Sequence, residues 1–316
     1  MMKLQTNIPL HPEEKQIDYD SKVLLLGSCF SENIGSKLTY YQFRNLQNPF
    51  GFLFHPEAIA RIITNSIHNK QYTEKDIFYL NDQWHSYDAH SILSSTKKED
   101  TISNLNKAIQ TTHQKLLNAS HIIITLGTAW GYRHKKTNEL VANCHKAAQC
   151  KFSKELSPIK EITTSLKKSI KGIQAININA KILFTISPVR HLKDGFIENQ
   201  RSKSHLIAAV HQLINPSNNI FYFPAYEIMM DELRDYRFYK EDMIHPSTIA
   251  INYIWEKFKH VWITSHIYSM MDDIETVRKG LAHRPINPNS EQHKTFLQNI
   301  KNKTKELQEK YPFMVF

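Results

Sequence analysis

Three side chains here have the types that acyl transfer uses. Ser28 follows Gly27 in KVLLLGSCFSENIGSKL, and Asp242 and His245 stand three residues apart in KEDMIHPS. Moving an acyl group takes an activated nucleophile, a base titrating near neutral pH, a group that orients the base, and donors for the developing oxyanion. Histidine changes charge between about pH 5 and 8, which suits His245 to remove a serine proton. The D-x-x-H spacing fits a loop or one helical turn, where residues three apart share a face, and Asp242 can then hold the ring in one tautomer. Each residue also has a plain structural reading: Ser28 as a helix N-cap, Asp242 with His245 as a cap beside a structural histidine. Cys29 is intrinsically the stronger nucleophile. One residue further along, its side chain is expected to turn toward the sheet and pack as a small hydrophobe.

Bringing residues so distant in sequence together requires a scaffold. Four short apolar runs, Val23–Leu26, Ile122–Leu126, Ile182–Ile186 and Ile220–Phe223, read as buried strands, with a weaker fifth near Phe43–Leu46. Between them, Ser31–Tyr41, Ile102–Leu117 and Ile159–Ile173 carry apolar residues at helical spacing. Fully apolar strands alternating with helices predict a doubly wound α/β fold, a parallel sheet covered on both faces. Ligands bind beyond the carboxyl ends of such strands. There the sequence places Ser28, then Gly51 in NPFG, Thr128 in GTAW, Arg190 and His191 in SPVRH, and finally the Asp242–His245 block. Arg190, His191, Lys193 and Arg201 are suited to a carboxylate or phosphate, or equally to pairing with the acidic residues of DELRDYRFYKED. An aromatic excursion from about His55 to Ser95 holds Trp84, His85 and His90, which read either as a pocket lid or as the packing of an insert. The tail beyond Ser265 reads as helices broken by HRPINPNS, where a subdomain boundary is expected.

Composition removes several classes of function. Of 316 residues, 41% are hydrophobic and 22% charged, a globular balance. A net charge of +10 favours anionic ligands, but the lysines are scattered without interleaved aromatics, so no nucleic-acid partner is expected. No stretch reaches the roughly 18 to 20 apolar residues of a membrane span, and MMKLQTNIPLHPEEKQ lacks the apolar core of a signal peptide. Three cysteines are sparse for a disulfide scaffold. A cytoplasmic protein is the simplest expectation. Cys144, His145 and Cys150 do not form a zinc spacing, so neither metal nor other cofactor is expected.

On these residues the chain resembles the GSCFA family, named for the motif seen here as Gly27-Ser28-Cys29-Phe30, with Ser31 in place of the alanine. The resemblance spans roughly residues 3 to 300 and includes NPFG, TLGTAWGYRHK, NCHK, ISPVRHLKDGFIENQRSKSHL and FPAYEIMMDELRDYRFYKEDMIHPS. More distantly the chain is similar to the SGNH/GDSL hydrolases. That resemblance implies a three-layer, flavodoxin-like α/β domain over residues 1–265, with an insertion at about 55–118 and a helical extension over 266–316. It implies Ser28 as nucleophile, His245 as base, Asp242 as orienting acid, and the N–H groups of Ser28 and Gly51 as oxyanion donors. The superfamily's G-x-N-D block is replaced by Gly127-Thr128-Ala129-Trp130, so its asparagine donor is missing and Thr128, Asn143 or Arg190 are the stand-ins; Arg190 and His191 also count as substrate contacts. The expected activity is that of a serine esterase or deacylase on a small-molecule or sugar-linked ester, an anionic one suiting the basic net charge. An acyltransferase with the same triad, a ligand-binding scaffold without turnover, and an interaction protein using the helical tail remain alternatives.

Overall fold

The computed structural model describes residues 6–316; residues 1–5, the head of the expected first domain, lie outside the described residues. In chain order the elements are β1 (Lys22–Gly27), α1 (Cys29–Tyr40), β2 (Arg44–Gln47), α2 (Pro56–Ile67), the hairpin strands β3 (Phe78–Leu80) and β4 (Gln83–His85), α3 (Lys98–Asn118) and β5 (His121–Leu126). Then come β6 (Trp130–His134), β7 (Glu139–Val141), β8 (Phe152–Leu156), α4 (Ile159–Ile176), β9 (Lys181–Ile186), α5 (Gly195–His211), β10 (Ile220–Phe223) and the short α6 (Ala225–Glu227). Helices α7 (Thr248–Trp262), α8 (Tyr268–Ala282) and α9 (Glu291–Lys310) close the chain.

Five strands form one parallel sheet in the order β10-β9-β5-β1-β2. KVLLLG, HIIITL and KILFTI are apolar nearly throughout because both faces are covered. Alternate residues point to opposite faces. Leu24, Leu26, Ile122 and Ile124 join one core with residues of α2 to α5; Val23, Leu25, Ile123 and Leu183 join the other with α1 and α7 to α9. This is the three-layer α/β arrangement expected from the sequence. The chain leaves β1 toward β2 on one side and returns to β5 on the other. The switch point of the sheet therefore lies between β1 and β5, where a crevice opens beyond the strand ends.

The structure departs from the expectations in three places. The weak strand runs from Arg44 to Gln47 rather than from Phe43, whose ring is buried in the second core. Residues 55–118 are built into the body: α2 and α3 pack into the first core, as do Tyr72, Ile77 and Ala89 on either side of the β3–β4 hairpin, whose Trp84 packs against the same core. A three-stranded antiparallel sheet, β7-β6-β8, was not foreseen. Its strands are short and half polar, WGYRH, ELV and FSKEL, and give no clean period of two. The helical tail is present, interrupted between α8 and α9 at 283–290, and it packs through Met271, Ile274, Val277, Ile300 and Leu307 into the second core. Among the described residues no helix is long and apolar enough to cross a membrane.

Gly27 ends β1 with φ +133°, and a Cβ built there would meet the Thr125 carbonyl oxygen at 2.1 Å. Its N–H donates to Asn48 Oδ1 at 2.9 Å and its carbonyl accepts the Leu53 N–H at 2.9 Å. Nothing larger than hydrogen fits, and the backbone conformation is one that side chains rarely adopt. Gly27→Ala is expected to lower the free energy of unfolding by more than about 3 kcal/mol, read as a reduced urea midpoint at unchanged slope. A midpoint within error of the parent would contradict this packing.

Candidate active site

Ser28 is the N-cap of α1, held in extended backbone at φ −72°, ψ 171°. Its N–H donates to the Thr125 carbonyl at 3.1 Å, and its Oγ accepts the Phe30 N–H at 3.3 Å. The residue has no exposed surface. Thus Ser28 sits at the positive end of a helix dipole, at the switch point, and under cover. Cys29, next in line, is half-buried; burial pushes its thiol up, with Lys203 among the groups opposing that rise.

The Asp242–His245 pair forms as the sequence suggested. Asp242 Oδ2 lies 2.7 Å from His245 Nδ1, and Asp242 Oδ1 accepts the N–H groups of Ile244 and His245 at 2.9 Å each. Those two backbone bonds, and then the ring, hold the carboxyl down at about 2. The turn is closed by Lys240 N–H to the His245 carbonyl at 2.8 Å and by Met243 in left-handed backbone at φ +55°. It is tied to the loop after β9 through Arg190, whose N–H donates to the Ile244 carbonyl and whose Nη1 donates to the Met243 carbonyl. Among the described residues no hydrogen bond joins Ser28 Oγ to His245.

The remaining candidates fall into two groups. Among the described residues Arg190 pairs with no acid; its guanidinium lies over the rings of Tyr239, at 4.0 Å, and of Tyr236 and Phe196. His191 stands edge-on to the Phe54 ring, and its buried Nε2, 3.3 Å from where a Cβ on Gly127 would lie, has no hydrogen-bond partner among the described residues. Burial, then the charges of Lys203 and His245, bring this imidazole down to about 3, so it is neutral at ordinary pH. Thr128 and Asn143 instead line a cavity of about 390 Å³ walled by Phe52, Phe54, Trp130 and Tyr132. Segment 52–54 links that cavity to the strand ends: Leu53 donates to Gly27, and Gly127 and Thr128 both donate to the Phe54 carbonyl. Of the three expected lid residues, His90 lines this cavity. His85 is committed to Ser94 Oγ and the Leu80 carbonyl, and Trp84 pairs through its backbone with Ser95.

Several of the expected oxyanion donors are already engaged. The Ser28 N–H is spent on Thr125, and the Gly51 N–H, in a turn with φ +72°, is spent on the Asn48 carbonyl at 2.8 Å. Thr128 Oγ1 pairs with Ser202 Oγ and accepts the Trp130 N–H; Asn143 Oδ1 accepts the His145 N–H. One polar residue at the strand ends was missed in the sequence. Lys203, on α5, has no exposed surface, and its Nζ donates to the carbonyls of Gly127 and Ser187 at 2.7 Å each. The only signal for it was a lysine at a core-facing position of a helix, among Asn199, Ser202 and Leu206. As for metals, no group of three or more ligating side chains occurs among the described residues.

Comparison with known proteins adds the following. A model described as the GSCFA family matches residues 22–258, and one described as the GSCFA domain protein, C-terminal domain, matches residues 274–316. Among solved structures the chain is similar to an acetyl esterase mutant crystallised with acetate ion, at 11% identity over 80% of this chain and 99% of that one, with a TM-score of 0.36. It is also similar to a carbohydrate esterase family 3 protein from Talaromyces cellulolyticus, at 10% identity over the same shares, with a TM-score of 0.37. No curated protein matches significantly.

The geometry at Asp242 yields a test. Its folded value lies below the ordinary 3.8, so its contribution to stability is present above about pH 4 and is lost as pH falls through about 2. Because backbone N–H groups are the largest cause, His245→Ala is expected to raise the Asp242 midpoint only part of the way. Carboxyl-carbon NMR titration measures it; a return all the way to the ordinary value would contradict the backbone account.

Proposed function

The chain belongs to the GSCFA family, and from that membership and the site described above we propose that it is a serine-dependent acyl hydrolase, an esterase or deacylase. The observation that carries this reading is the Asp242–His245 pair at 2.7 Å, beyond the same sheet edge at which Ser28 caps α1. Asp242 fixes the proton on Nδ1 and leaves Nε2 as the base. Ser28 Oγ adds to the ester carbonyl as Nε2 takes its proton. The tetrahedral intermediate collapses, the C–O bond to the leaving alcohol breaks, and His245 returns the proton to that oxygen. Water, activated by the same imidazole, then hydrolyses the acyl-enzyme. The aromatic-walled cavity beside Phe54 is suited to the substrate's body, an apolar surface edged by Lys146 and Lys193.

Substrate binding has two tasks in this account: to uncover Ser28, and to bring its Oγ within hydrogen-bond reach of His245. Catalytic hydrogen bonds often tighten only in the complex, and the turn that carries the pair is a surface segment whose Met243 is exposed. A second reading has its own observation: Ser28 is wholly buried and caps α1 through Phe30, as it would in a ligand-binding scaffold without turnover.

Hydrolysis of p-nitrophenyl acetate separates the two. If the triad works, kcat/KM falls by roughly 10³-fold or more in Ser28→Ala, His245→Ala and Asp242→Asn. In the scaffold reading the parent and the three variants release p-nitrophenol at the same background rate, and Ser28→Ala costs only the cap, about 1 kcal/mol of stability.

A further inference from the structure

Lys203 is the one lysine in the buried core of the described residues. An ammonium carries three N–H groups. Two are taken by the carbonyls of Gly127 and Ser187, at the ends of β5 and β9, and no ion pair involves this side chain among the described residues. What surrounds it is uncharged: the Tyr226 ring of α6 at 5.6 Å, the Cys29 thiol of α1, and the neutral His191 of the loop after β9. A buried cation without a counter-ion is costly, and pinning two carbonyls together does not require one. A glutamine amide has two N–H groups and would do that without charge.

The position of this cation coincides with a deficit. Acyl transfer at Ser28 needs donors for the oxyanion, yet the Ser28 and Gly51 N–H groups are both spent, and Thr128 is tied to Ser202 and Trp130. The residue aligned with the missing asparagine, Ala129, is itself buried and donates its N–H to Ser202 Oγ. Ser202, the neighbour of Lys203 on α5, therefore secures the loop where that asparagine would stand, while Lys203 reaches the strand ends.

We propose that Lys203 is the oxyanion donor of this site, its third N–H taking the negative oxygen that forms when Ser28 adds to an ester carbonyl. The inference rests on the acyl-transfer reading and assigns it a residue. As Oγ bonds to the carbonyl carbon, the π pair moves to oxygen and accepts the Lys203 N–H. On collapse that pair re-forms the carbonyl, the leaving alcohol departs with the proton from His245, and Lys203 keeps its own proton throughout. Burial, opposed by the nearby Cys29, brings the free amine down to about 7. The amine is charged below that value and loses its charge above it, so catalysis is expected to fall on the alkaline side of neutrality.

The test is the pH profile of p-nitrophenyl acetate hydrolysis in the parent and in Lys203→Met. The expected result is a kcat lower by on the order of a hundredfold in the variant, with loss of the alkaline limb seen in the parent. Equal kcat values and the same alkaline limb in both would overturn the assignment while leaving the serine mechanism standing. A parent with no serine-dependent turnover removes both. Should Lys203→Met fail to fold, the parent labelled with carbon-13 at the lysine ε-carbons is titrated with and without phenylboronic acid, which forms a tetrahedral anion on an activated serine. A Lys203 midpoint near neutrality that rises with the boronate supports the proposal, and one that does not move overturns it.

Discussion

Everything at this sheet edge depends on how closely β1 and β5 approach at Gly27. The Thr125 carbonyl occupies the space where a side chain on residue 27 would lie, and the same carbonyl accepts the N–H of Ser28. Because Gly27 turns with φ +133°, α1 begins at once, and Ser28 is delivered to the helix terminus at the switch point of the sheet. Asn48 locks the junction from the other side: its Oδ1 takes the Gly27 N–H, and its Nδ2 donates to Ser31 Oγ at 2.8 Å. The place of Ser28, the proposed nucleophile, is thus set by backbone crowding, which tolerates no loosening.

The bonding around Ser28 takes up its own N–H and that of Gly51. Backbone amides at a helix N-terminus are the usual source of oxyanion stabilisation, and here those of Ser28, Phe30 and Ser31 are engaged, with the Thr125 carbonyl, Ser28 Oγ and the Ser28 carbonyl. The oxyanion donor we propose comes from another element: Lys203 of α5, whose Nζ lies at the ends of β5 and β9. Position and electrostatics are in this way divided between two helices on opposite faces of the sheet: α1 presents the serine, and α5 the cation. The proposed base, His245, comes from a third place, the turn before α7, attached to the body through Arg190.

The legible part of this arrangement was the part written in local pattern. The apolar runs of β1, β5, β9 and β10 announce a parallel sheet because a strand buried on both faces has no polar alternate. Asp242 and His245 could be paired from spacing alone, since three residues of one tight turn decide their contact. What the sequence hid were consequences of non-local bonding. Nothing in NPFG says that the Gly51 N–H turns back onto Asn48, and nothing in SKSHL says that its lysine points inward beside the buried Ser202. The small sheet β7-β6-β8 escaped for a related reason: its strands lie against the main body and the β3–β4 region, and their own sequences are too short and too mixed in polarity to show a period of two.

The claim on which the account rests is that His245 activates Ser28. Its most direct measurement is peptide mapping of the protein after treatment with a fluorophosphonate, which reacts with activated serines. The account predicts one adduct per chain, on Ser28, absent in His245→Ala and retained in Cys29→Ala. Full-length protein that stays unmodified while a control serine esterase reacts completely, or an adduct on Ser28 that forms as fast without His245, would contradict it.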